Sequence, residues 1–235
     1  MIKSAIEKLL SLAEVKTFKN LDGEDGRVYT SSNLYPLLAP IPAPLFGHTL
    51  TSLFDYAKCE DHFCFLHIES HRKVSFVSEL YGPHKQRCVY FTATHEAKDF
   101  PYGQFIDIES FIVAIQTSFI QDENTSAILR IVGNVTHEAK MDVTDNGYTQ
   151  IVTAKTGIAR VGNVEVPNPI TLRPYRTFLE VENQPSCLFV FRMRRLETRI
   201  ECALFEADAG LWKLEAIKEI KKWLASHITS TEIVG

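Results

Sequence analysis

The chain has 235 residues, of which 45% are hydrophobic and 23% charged, with a formal net charge of −4. This composition excludes a disordered chain and suits one large domain or two small ones. A mildly acidic balance also excludes a general DNA-coating protein, whose affinity rests on Lys and Arg neutralising phosphates, while leaving room for a local basic surface.

Residues 2–14 have the spacing of an amphipathic helix: Ile2, Ile6, Leu9, Leu10 and Ala13 share one side, with Lys3, Glu7 and Lys8 on the other. A turn-rich polar stretch follows at residues 20–26. Prolines at 36, 40, 42 and 44 then forbid a helix and predict an extended strap or an intersubunit arm. Residues 1–47 are therefore read as an N-terminal helix and arm, and 48–235 as an α+β domain, open to division into halves 48–121 and 122–235. A short helix is predicted over Thr51–Ala57. Strands are predicted over Phe63–Ser70, Val74–Leu80 and Arg87–Thr94. The first of these alternates, with Cys64, Leu66 and Ile68 on one face and Phe65, His67 and Glu69 on the other.

A second helix is expected from about Ile106 to Ile120, with Phe105, Ile108, Ile112, Ile115 and Phe119 inward. Ala127–Thr136 reads as a strand. Asp145-Asn146-Gly147 is a strong hairpin signal, because Asn-Gly suits a type I′ turn. Tyr148–Ala154 returns, and short strands follow at Ile158–Val161 and Val164–Val166. Cys187–Arg194 and Thr198–Phe205 form a further predicted hairpin. A last helix is predicted after Asp208, with Leu214, Ile217, Ile220 and Leu224 as its core stripe, and a loose tail after His227. The order of elements predicts an α+β fold with largely antiparallel sheets. Thr94-His-Glu-Ala-Lys98 recurs at 136–140, each copy after a predicted strand; five residues are too few to establish a duplication.

The five cysteines, Cys59, Cys64, Cys88, Cys187 and Cys202, are odd in number and irregular in spacing, so reduced thiols are expected. With no apolar window of membrane length and charges inside the N-terminal apolar run, the expected place is the cytoplasm. Cys59, His62, Cys64, His67, His71, His84 and Cys88 carry zinc-type ligands, but their spacing is not that of a zinc knuckle, and Cys64 and His67 fall on opposite strand faces. No metal and no cofactor is expected. The dipeptides His95-Glu96 and His137-Glu138 would make a general base only if two strands converged. P-loop, dinucleotide, nucleophile-elbow and EF-hand motifs are absent from the sequence.

Arginines concentrate late in the chain: Arg173, Arg176, Arg192, Arg194, Arg195 and Arg199. Arg192 and Arg194 fall on one strand face, opposite Phe189, Phe191 and Met193. Guanidinium forks suit phosphate and carboxylate, so these six are the candidate binding residues, against cross-strand pairing with nearby glutamates.

The acidic amphipathic segment Phe105-Ile-Asp-Ile-Glu-Ser-Phe-Ile, the Asp145-Asn146-Gly147 hairpin, Val164-Glu165-Val166-Pro167 and the strand Phe189-Val-Phe-Arg-Met-Arg occur in one order. That order resembles the YfdQ-like family of phage and prophage proteins over residues 50–225. The resemblance implies a phage or prophage gene and carries over no catalytic residue. The expectation is a non-enzymatic accessory protein in the host bacterial cytoplasm, self-associating and binding nucleic acid, a nucleotide or a host protein. A shell- or ring-forming protein is one alternative. A metal-dependent hydrolase, with His67, His71, His95 and His137 converging, is the other.

Overall fold

Short polar side chains take the first free N–H groups where helices begin. Helix α1 (Leu50–Ala57) is capped by Thr49, whose hydroxyl accepts from Ser52 N at 3.1 Å. Helix α2 (Ile108–Ser118) is capped by Asp107, which accepts from Ser110 N at 3.0 Å. These bonds hold the Asp107 carboxyl below its ordinary range. Asp122 accepts from Thr125 N at 2.9 Å at the start of helix α3 (Glu123–Thr136). Ahead of helix α4 (Trp212–His227), Asp208 accepts from Gly210 N and Trp212 N. The computed structural model describes residues 40–58, 64–96, 99–136, 141–145, 150–156, 160–165, 168–196, 199–228 and 231–235, together with Lys3, 17–19 and 28–30.

The fold is α+β with largely antiparallel sheets. Strands β1 (Thr17–Lys19) and β2 (Val28–Thr30) pair with each other. Strands β3 (Leu45–Gly47), β4 (Cys64–Ser70), β5 (Lys73–Ser78), β6 (Val89–Thr94) and β14 (Glu232–Val234) form a five-stranded sheet in the order β14-β4-β5-β6-β3. Its centre is an antiparallel meander and both edges pair in parallel. Strands β7 (Ile106–Asp107), β11 (Ile170–Leu172), β12 (Cys187–Leu196) and β13 (Arg199–Glu206) form a second sheet, β11-β12-β13-β7, antiparallel throughout. Strands β8 (Met141–Asp145), β9 (Gln150–Thr156) and β10 (Arg160–Glu165) make a three-stranded antiparallel sheet. Asp145 pairs with Gln150 there, as a hairpin requires; the Asn146-Gly147 turn lies outside the described residues.

Two apolar cores result. Leu66, Ile68, Val74, Phe76, Phe91 and Ala93 of the first sheet pack under α1 and the C-terminal half of α4. Phe189, Phe191, Met193, Cys202 and Leu204 of the second sheet pack under α2 and α3. Helix α4 belongs to both: Trp212 in its first turn enters the second core, while Ile220 and Leu224 enter the first.

Three expectations are corrected. Residues 127–136 are helical, not a strand; Ile128, Ile131 and Val132 are buried at helical spacing after the Asp122 cap, so β-branched content misled. The segment at 136–140 therefore follows a helix, unlike its copy at 94–98. The core stripe of α4 is Trp212, Ala216, Ile220 and Leu224, and Leu214 is 58% exposed. The tail after His227 contains β14, which pairs with β4. The end of the proline-rich arm is itself the edge strand β3, and the predicted helix over 2–14 lies outside the described residues apart from Lys3.

Candidate functional site

The hairpin β12–β13 sets the arginines by simple alternation. Phe189, Phe191 and Met193 point into the second core, and Arg192, Arg194 and Leu196 take the other face. Arg194 lies directly opposite Glu201, and both its Nε and Nη2 bond to Glu201 Oε2, at 2.8 and 2.7 Å. Its guanidinium carbon also sits 4.0 Å over the Phe105 ring, which meets Phe205 edge-on at 5.9 Å. Arg192 is half-buried opposite the buried Ala203, so this part of the face is covered. Toward the tip the surface opens: Arg194, Arg195, Leu196 and Arg199 are exposed.

Arg173 and Arg176 lie elsewhere. Arg173 pairs with Asp122 at 3.5 Å, at the start of α3. Arg176 is buried, with a side chain only 5% exposed. Its guanidinium carbon is 4.1 Å from the Tyr102 ring and 4.3 Å from the Trp212 ring, on the core side of β12 near Phe189. Its Nη2 pairs with Glu206 at 2.5 Å, and its Nε donates to the Tyr102 hydroxyl at 3.1 Å. The six arginines thus divide between an exposed hairpin tip, a helix start and a buried centre.

The loop carrying Arg176 is shaped by the buried Gln184. Its Oε1 accepts from Arg176 N and Thr177 N, and its Nε2 donates to Phe178 O and Val181 O. The Thr177 hydroxyl then donates to the His71 carbonyl at 2.6 Å, tying this loop to the β4–β5 turn. His71 meets Trp212 edge-on at 4.7 Å. Arg72 pairs with Asp99, and the Arg72 carbonyl accepts from His95 N at 2.8 Å. The centre therefore collects His71, Arg72, His95, Asp99, Tyr102, Arg176, Glu206 and Trp212 from four separate stretches of chain.

Burial shifts most of its titratable groups, while Arg72 and Arg176 each face a carboxylate. Burial, and then the charges of Arg72, Lys213 and Arg176, push the His71 pKa down to about 4. Burial and Arg72 lower His95 against an opposing pull from Glu180. The Arg72 hydrogen bond holds the Asp99 carboxyl low. Burial drives the Tyr102 hydroxyl up to about 12, and burial with a bond to Asp208 does the same to the Cys187 thiol. A histidine this acidic is a weak base at neutral pH, and a thiol this basic yields no thiolate. Neither His71 nor Cys187 is therefore poised as a base or a nucleophile at neutral pH.

Of the four histidines considered for a hydrolase, His71 and His95 come together, next to Arg72. His67 is exposed on β4, beside Phe65, Glu79 and Arg87. His137, like Cys59 and His62, lies outside the described residues. Among the described residues, no three His, Cys, Asp or Glu side chains gather as a metal site. His95 is buried while its neighbour Glu96 is exposed and faces His48 at 3.8 Å, so the dipeptide is not a dyad. No helix among the described residues is long and apolar enough to cross a membrane.

Sequence reasoning included Arg176 but missed Tyr102, Glu206, Trp212 and Gln184, which carry no local signal. Set against known proteins, the chain matches no protein-family model, no curated protein and no solved structure.

Proposed function

We propose that this chain is a non-enzymatic phage or prophage accessory protein of the host bacterial cytoplasm that self-associates and binds nucleic acid through the tip of the β12–β13 hairpin. The observation that carries the binding is the exposure of Arg194 and Arg199 on one face of that tip and of Arg195 on the other, with Phe105 beneath Arg194. Guanidinium groups contact phosphates, and the Phe105 ring beneath Arg194 orients one of them. A local basic tip reconciles such binding with the acidic whole. The phage setting rests on the family resemblance at Val164–Pro167 and at the strand Phe189–Arg194. Anisotropy of a labelled single-stranded oligonucleotide tests the reading across a salt series. Binding should weaken with salt and fall at least about tenfold in the triple variant R194A/R195A/R199A, a loss of about 1.4 kcal/mol. Equal binding by the variant overturns it.

Self-association draws on the edge strand β3. Ile41, Leu45 and Phe46 are exposed there, Phe46 by 73%. An apolar edge is a template for strand pairing. Because β3 and β14 are the two edge strands of one sheet among the described residues, an edge-to-edge contact between copies would propagate into a ring or shell. Light scattering decides between these outcomes, and a strictly monomeric protein sinks self-association altogether.

A further inference from the structure

The polar centre around Arg176 contains more hydrogen-bond donors than its fold can use. The Arg72 Nε, Arg176 Nη1 and Trp212 Nε1 donors are buried and without a hydrogen-bond partner, as is the His95 Nε2 ring nitrogen, whose role depends on the tautomer. These residues are neighbours: Arg176 lies on the Trp212 ring, Trp212 on His71, and the Arg72 carbonyl accepts from His95 N. Leaving a buried donor unpaired costs about 1–3 kcal/mol, and native interiors pair nearly all of theirs. Several such donors in one place mark a position prepared for an acceptor.

We propose that this centre is a binding site for a small oxyanion of the phosphate class. The two carboxylates of the centre are already committed, Asp99 to Arg72 and Glu206 to Arg176. Arg72 and Arg176 each keep donors beyond the one turned to their carboxylate, and Lys213 adds a further cation near His71. A single water accepts only two hydrogen bonds, fewer than the donors gathered here. A carboxylate offers two oxygens, whereas phosphate offers a separate oxygen to each of several donors, and guanidinium groups fit it closely. The site is held ready: Gln184 fixes the Arg176 loop, and Tyr102 and Trp212 hold the guanidinium between them. Arg72 and His71 are only half-buried, and Asp99 is exposed, so the centre opens to solvent on that side.

This site is independent of the hairpin tip, since Arg176 lies on the core side of β12 and Arg194 on the other. The chain has two tryptophans, so Trp223→Phe leaves Trp212 as sole reporter. The full chain carrying that change would be titrated with inorganic phosphate at constant ionic strength, with sodium chloride as the control. A saturable change in Trp212 emission, accompanied by a rise in Tm that chloride does not produce, is expected. Arg176→Lys keeps the charge and loses the fork, and should weaken binding about tenfold or more. If that variant does not fold, Arg72→Gln, on the half-exposed turn, should weaken binding in the same way. The R194A/R195A/R199A variant should bind phosphate unchanged. The proposal is overturned by an emission response equal for phosphate and chloride, or by undiminished binding in a folded Arg176→Lys or Arg72→Gln variant.

Discussion

The guanidinium of Arg176 lies face-on to the Trp212 ring, 4.3 Å from its centroid, although one residue belongs to an irregular loop and the other opens α4. The contact fixes where the first turn of α4 meets the second core, and the same helix ends in the first core. Breaking it should disturb both sheets, not one surface.

Replacing Arg176 with Ala removes the cation from this stack and leaves Glu206 without its partner. Glu206 is exposed and stays hydrated, so the cost comes from losing a buried side chain packed between Tyr102 and Trp212, about 2–4 kcal/mol in urea unfolding. Glu206→Gln, which keeps the shape and an acceptor for Arg176, should cost less.

Stability should fall on mild acidification. The fold holds His71 near 4 against an ordinary value near 6.5, so the unfolded chain takes up the proton first as the pH drops. The contribution of His71 is complete above about 6.5 and is lost progressively down to about 4. Arg72, Arg176, Lys213 and His95 all face it and act in the same direction. His71→Phe keeps a ring against Trp212 and should show a shallower fall in urea midpoint over this window; His95 retains part of the slope.

Gln184 satisfies four backbone groups with one carboxamide. Gln184→Leu removes this partner from Arg176 N, Thr177 N and Val181 O, while Phe178 O still accepts from Val181 N. It should cost about 2–4 kcal/mol at about 1–3 kcal/mol for each unpaired group, less whatever relaxation recovers. Unfolding by denaturant would measure this, and Thr177 should lose its contact to His71 in the same variant.

Gly47 is required by close approach. A Cβ there would meet Ser52 Oγ at 2.5 Å and two Phe91 ring atoms at 2.6 and 2.9 Å. Gly47→Ala should destabilise by about 1–3 kcal/mol, as overpacking does, through displacement of β3 from β6. Thermal unfolding reads the loss.

Arg194 should behave differently. Its pair with Glu201 is half-exposed, and pairs of that kind contribute less than about 1 kcal/mol. Arg194→Ala should leave the urea midpoint nearly unchanged, so a loss of nucleic-acid binding in the hairpin variants would report the contact and not the fold.

Elements with a clean local pattern were legible in the sequence. The strand over Phe189–Arg194 alternates, and its inward and outward sets are those observed. The helix over Glu123–Thr136 was not legible, because Ile128, Ile131 and Val132 favour strands until the Asp122 cap is recognised. In α4, Leu214 looked like core by residue type. The buried Ala216 shows that position on the helix decides, not hydrophobicity. The centre at Arg176 was beyond reach for another reason. Its members come from residues 71–72, 95–102, 176 and 206–212, and only the packing of two sheets against one helix brings them together.

The pairing of β14 with β4 has a consequence for synthesis. Residues 232–234 lie beside residues 65–67, so a meander that leaves the ribosome early keeps an open edge until a strand made much later arrives. Meanwhile α4, which covers that meander, is also still to come. Apolar strands bared for so long invite mispairing between nascent chains, and a contact joining such distant positions folds slowly. A neighbouring copy or a chaperone that shields this edge during translation would raise the yield of folded protein without altering its final stability.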